Sequence, residues 1–143
     1  MIEYRDSHDG IESRQLTGFF VGWPNPPSPE THLRLLNGSD IVVVAFDTGA
    51  DRVVGYITAL TDGVLMAYIS SLEVLPEWQG RGIGSELVRR VLDRLQSLYA
   101  IDLLCDDDVL PFYERLGLTR ATGALMRRYD YQSGTSRSEL ASG

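Results

Sequence analysis

The sequence predicts a mixed α/β (α+β) fold with a mostly antiparallel sheet, and three observations carry that reading. Two β-branched runs, Ile41 to Asp47 and Val53 to Leu60, are joined by Thr48, Gly49, Ala50 and Asp51 as a hairpin. A strand then passes through Glu73, Val74 and Leu75 into Pro76 and a loop with glycines at 80, 82 and 84, which opens directly into an amphipathic helix. The next strand, Ile101 to Cys105, is reached through that helix, so it should lie parallel to the strand before the loop.

The remaining elements follow in order. Ile2 to Arg5 reads as a short first strand, and Ile11 to Phe20 as a helix with Ile11, Leu16, Phe19 and Phe20 on its apolar face. From Gly22 to Pro29 four prolines remove donors and hold the backbone extended or turned, which makes this run a loop. Ser28 before Pro29 is an N-cap followed by proline at the first helical position, and Asn37 with Gly38 supplies the stop, so Pro29 to Leu36 is a helix carrying His32. Asp62 with Gly63 marks a tight turn. Val64 to Leu75 would be a strand about twice the usual length of ~5 to 6 residues, so a bulge or bend is expected in it. After the glycine loop, Ile83, Leu87, Val88, Val91, Leu92 and Leu95 form one stripe that must pack on a sheet. Asp106, Asp107 and Asp108 offer N-caps for a helix from Val109 to Leu116, and Ala124 to Tyr131 reads as a last strand. Residues 1–131 form a single domain in this reading, and the small polar stretch 132–143 is expected to be disordered.

Composition narrows the function classes. With 43% hydrophobic and 23% charged residues and apolar runs no longer than a strand, the chain reads as a soluble globular protein without a membrane partner. No leader pattern opens the chain and Cys105 is its single cysteine, so the cytoplasm is the expected compartment. Thirteen basic against 20 acidic residues disfavour a nucleic-acid partner and favour a neutral or cationic substrate. No metal-ligand spacing is present. Cys105 sits among acids that raise a thiol's pKa, which favours a buried apolar role over a nucleophile, and His32 reads as a surface or helix-packing histidine.

A strand, a glycine-rich turn and a helix start make an anion site, because the first helical N–H groups have no intrahelical partner and the dipole there favours negative charge. Arg81 adds a cation. An NTPase phosphate loop needs Gly-Lys followed by Ser or Thr, and Arg81, Gly82 and Ile83 do not supply it. A dinucleotide fold fits poorly too: the third glycine comes one position early, Asp102 precedes the end of its strand, and three strands come before the motif.

Gln79, Gly80, Arg81, Gly82, Ile83 and Gly84 match the Gln/Arg-x-x-Gly-x-Gly/Ala signature of the GNAT superfamily of acetyl-CoA-dependent N-acetyltransferases, and Phe112 to Gly117 (Phe-Tyr-Glu-Arg-Leu-Gly) resembles its later motif. The resemblance covers roughly Ile41 to Tyr129. It implies a sheet of six or seven strands with helices on both faces, splayed at its centre near Val74. It also implies acetyl-CoA as co-substrate, its pyrophosphate held by the backbone of Gln79, Gly80, Arg81, Gly82, Ile83, Gly84 and Ser85 and its pantetheine arm paired with Val74 and Leu75. Asp106 stands where many members carry an asparagine, and no role is carried over to it. The acceptor would be a primary amine of a small molecule or a peptide, and the resemblance allows a homodimer. A non-catalytic acyl-CoA sensor on the same fold is the rival reading.

An alkylammonium of pKa near 10.4 costs about 4.6 kcal/mol to deprotonate at pH 7, so a base and an acid are worth having. By the resemblance Tyr113 is the acid for the departing thiolate; read from the residues alone it is equally an amphipathic-helix tyrosine. Glu73, a carboxylate between Leu72 and Val74, is the first candidate base, against a place on the solvated face of its strand. Tyr68, Ser70 and Ser71 lie earlier on that strand, where a water relay is open to them. Trp23 and the proline loop either roof an acceptor pocket or pack over the first helix.

Overall fold

A computed structural model describes residues 1–135. Strands β1 (Ile2–Arg5), β2 (Ile41–Asp47), β3 (Arg52–Thr61), β4 (Met66–Val74) and β5 (Ala100–Asp102) form one sheet in the order 1-2-3-4-5. The first four are antiparallel and β4 and β5 are parallel, as a helical crossover requires. Helices α1 (Pro29–Asn37), α2 (Ile83–Arg94) and α3 (Leu110–Arg115) complete the fold. Five strands rather than six or seven are present among the described residues, because β5 ends at Asp102 and Ala124 to Tyr131 forms no strand.

Helices cover both faces of the sheet. Gly55 in β3 lets α2 approach: a Cβ there would stand 3.2 Å from Ile83 Cγ2 and 3.3 Å from Leu87 Cδ1. Its neighbour Tyr56 points the other way, as strand alternation demands, and meets the ring of His32 from α1 at 4.4 Å between centroids. Val43, Val44, Val53, Ile57, Leu87, Val88 and Val91 are fully buried between these layers.

The local signals at α1 are realised: Ser28 Oγ accepts from Thr31 N–H at 3.1 Å and Pro29 opens the helix. The segment Ile11 to Phe20 is a correction. Its four apolar residues are all buried, but only Ser13–Gln15 makes a short 3-10 turn. Gly18 at φ 90° and Phe20 at φ 63° are left-handed and break any helix there. The Asp106–Asp108 run caps nothing by side chain; the Asp106 carbonyl accepts from the Val109 and Leu110 amides instead. Of the expected tail, Gln132 accepts from Asn25 N–H at 3.0 Å, and residues 136–143 lie outside the described residues.

Candidate active site

The site grows from β4. Its register against β3 shifts between Thr58 and Ala59, which leaves Ser70 as the extra residue of a bulge in the strand that was expected to bend. Thr58 Oγ1 gathers both serine hydroxyls, 2.8 Å from Ser70 Oγ and 2.7 Å from Ser71 Oγ. On its other side β4 pairs with β5 only from Met66 to Tyr68. Beyond Tyr68 the two parallel strands part, so the edge from Ile69 to Val74 has no ladder partner among the described residues. The expected splay is therefore present and starts well before Val74.

The Leu75 N–H donates to Val54 O at 2.8 Å, so by alternation the Val74 N–H faces the opening. Gln79 Nε2 donates to Val74 O at 3.0 Å and folds the glycine turn back onto the strand end. Gly80 and Gly82 have φ near 80°, a conformation only glycine adopts freely, and the space where a Cβ would stand is open at both. Gly82 is the N-cap of α2 and no side chain caps the helix. The amides of Ile83, Gly84 and Ser85 consequently face outward with no acidic side chain between Gln79 and Ser85. Arg81 lies over the Trp78 ring at 4.7 Å and donates to Glu77 O, which fixes its guanidinium beside the turn.

Glu73 stands opposite Tyr56 in the sheet, and its half-buried carboxylate accepts from two backbone amides, Phe20 N–H at 2.8 Å and Val21 N–H at 3.2 Å. This contact fastens the left-handed turn at Phe20 to the strand across 53 positions, a link no local pattern announces. Tyr113, on α3, is buried, and burial pushes its hydroxyl up to about 12, with the nearby Cys105 as a lesser cause. Cys105 itself is exposed rather than buried; desolvation and then Asp106 and Asp107 hold its thiol above the ordinary value, which keeps it protonated.

Above Glu73 the Phe20 and Trp23 rings meet at 4.9 Å. A shallow cleft of about 370 Å³ opens beside Trp23, lined by Arg127, Arg128, Tyr129 and Gln132, and a neighbouring one shares Trp23 and Gln132 and adds Arg34. All three charged lining residues are arginines, the opposite sign to the chain as a whole. Sequence reasoning offered a pocket at Trp23 as one of two alternatives but missed its arginines, which come from segments about 90 residues apart. Of the two places expected for His32, packing of its helix is the one found: the ring is buried against Phe19, Phe20 and Tyr56, neither nitrogen has a hydrogen-bond partner, and burial lowers its pKa to about 4.

Residues 9–118 match the Acetyltransferase (GNAT) family. An uncharacterized N-acetyltransferase, ycf52, of Pyropia yezoensis is 28% identical over 70% of this chain and 59% of its own length. The GCN5-related N-acetyltransferase 1, chloroplastic, of Arabidopsis thaliana is 29% identical over 79% of this chain and 59% of its own. The chain thus spans about three fifths of the length of these relatives. A crystal structure from Deinococcus radiodurans R1, described as an acetyltransferase, shares 50% identity and a TM-score of 0.91 over 94% of both chains.

Proposed function

The chain belongs to the GNAT family of acetyltransferases, and from that premise we propose that it moves the acetyl group of acetyl-CoA to the primary amine of a small molecule or peptide by direct attack. The observation that supports this most is the unpaired edge of β4, which runs from Ile69 into the uncapped glycine turn of α2. An extended arm could add to that edge as a strand while its phosphates reach the free amides. The residues present fit such a ligand: the turn is open at Gly80 and Gly82, and Arg81 is its one charged side chain. When bound, acetyl-CoA supplies an acyl group already activated as a thioester.

The chain's own residues then have three tasks. Amides from Gln79 to Ser85 bind the pyrophosphate, the Val74 N–H faces the acyl carbonyl and polarises it, and Leu75 packs beneath. Glu73 spends one hydrogen bond per oxygen on the Phe20 and Val21 amides, which leaves lone pairs to take the amine proton directly or through water held near Tyr68 and Ser71. Tyr113, kept neutral by burial, holds its proton at the hydroxyl for the departing sulfur. The amine enters beside Trp23, in a cleft whose charged lining is arginine. The cytoplasm remains the proposed compartment; the name of the Arabidopsis relative places that protein in the chloroplast.

Calorimetric titration with acetyl-CoA, CoA and NAD at fixed salt tests the ligand, and release of the CoA thiol across an amine panel tests turnover. The CoA species should bind and NAD should not. Tyr113→Phe should lower kcat about 10²-fold or more with acetyl-CoA binding unchanged. Preference for NAD would overturn the reading of the glycine turn. Binding without turnover on any amine would instead identify an acyl-CoA sensor.

A further inference from the structure

Three segments far apart in the chain meet at the two neighbouring clefts that share Trp23 and Gln132: the proline loop, helix α1 with Arg34, and the stretch carrying Arg127 and Arg128. The Asn25 N–H donates to Gln132 Oε1 at 3.0 Å, which ties the loop to the last of these. A Cβ on Gly134 would stand 2.8 Å from Thr31 Cγ2, so the same stretch lies hard against α1. Phe20 borders the clefts, and its N–H donates to Glu73 at 2.8 Å. A molecule bound there lies beside the carboxylate that takes the amine proton in the reading above.

The charged lining consists of donors alone. A guanidinium has five N–H groups and no acceptor. Arg5, Arg14, Arg89, Arg90 and Arg120 each pair with a carboxylate. Among the described residues no carboxylate lies within ion-pair distance of Arg34, Arg127 or Arg128. Arg127 makes one long contact, from Nη1 to Met126 O at 3.4 Å. Glu30 and Asp130 are near these arginines in sequence, and neither lines the clefts. Gln132, whose side-chain carbonyl accepts from Asn25, has donors left on its amide nitrogen. The net charge of −7 acts weakly here, because charges beyond about 8 Å are largely screened at physiological salt and the lining decides. Guanidinium forks match the oxygens of a carboxylate or phosphate. The volume of about 370 Å³ suits a small molecule.

We propose that the acceptor is a small amine that also carries a carboxylate or phosphate, with Arg34, Arg127 and Arg128 binding the anionic oxygens while the amine reaches Glu73. This rests on the acetyltransferase reading and adds the class of substrate to it. Release of the CoA thiol is measured on matched pairs of several chain lengths: amino carboxylic acids against their methyl amides, and aminoalkyl phosphates against the parent amino alcohols. The two arms tell carboxylate from phosphate. The preferred anionic amine should exceed its neutral twin about tenfold or more in kcat/KM, through KM, and the margin should shrink as salt rises. One exposed ion pair is weak, so Arg34→Gln and Arg128→Gln should each cut the margin only about threefold by raising KM. Both side chains are exposed, and the melting temperature should not move. Arg34→Lys, which keeps the charge, should retain more of the margin than Arg34→Gln, and Arg128→Glu should shift preference toward diamines. Neutral amines used as well as their anionic twins, or a margin indifferent to every arginine variant, would overturn the proposal and leave the acetyltransferase reading standing. Acetyl-CoA binding without turnover of any amine would overturn that reading and the proposal with it.

Discussion

His32 shows how one buried residue couples the stability of the fold to pH. Its ring fills space between Phe19, Phe20 and Tyr56 and has no hydrogen-bond partner, so charging it inside the fold is costly. Its pKa is lowered to about 4 in the folded protein against about 6.5 in an unfolded chain. The unfolded state then binds the extra proton. Stability from this site is complete above about pH 6.5 and falls as the pH drops toward 4, by an amount on the order of 3 kcal/mol. Chemical denaturation of wild type and His32→Phe between pH 7 and pH 4 checks this: the variant should lose much less stability over that window. Glu73 teaches a related point. Its sequence context marks a carboxylate worth noticing, but that it clamps two amides at Phe20 and Val21 depends on a turn far away in the chain.

Among the elements, the contact of α2 with β3 is tightest at Gly55. Three side-chain atoms, from Ile83, Leu87 and Val74, stand 3.2–3.3 Å from where a Cβ would be, and all three belong to parts that shape the glycine turn. Gly55→Ala should therefore cost about 1–3 kcal/mol by overpacking and displace the N-terminus of α2. A denaturant melt reads the first effect, and a weaker acetyl-CoA affinity in titration reads the second. Element boundaries were legible where a local signal exists, as at Ser28–Pro29 and Asp62–Gly63, whose Asp62 Oδ1 accepts from the Val64, Leu65 and Met66 amides. They were misread where the signal was burial alone: Ile11, Leu16, Phe19 and Phe20 sit at helix-like spacing, yet an irregular segment buries them equally well.

At the scale of the whole molecule, the sheet is uneven. Strands β2 and β3 are buried almost end to end, whereas β5 adds three residues on a single ladder. Opening free energies should follow that gradient. Native-state hydrogen exchange should find the slowest amides around Val43 and Ile57 and distinctly faster ones at Ala100 to Asp102. Acetyl-CoA should slow exchange between residues 69 and 85, and the same labels elsewhere in β2 and β3 should not move.

The sequence by itself determined the hairpin of β2 and β3, the capped helix α1, the glycine turn into α2 and the parallel crossover to β5, because each rests on contacts within a few residues or on one chain-wide stripe. It also carried both motifs by which the chain resembles its family. Tertiary structure alone decided where β4 and β5 part, which amides Glu73 holds, that Cys105 lies exposed and that the arginines of two distant segments share a cleft. That residues 118–128 form neither helix nor strand belongs with these. A strand's propensity is local, but its partner is not, and pairing is settled by whichever edge lies within reach.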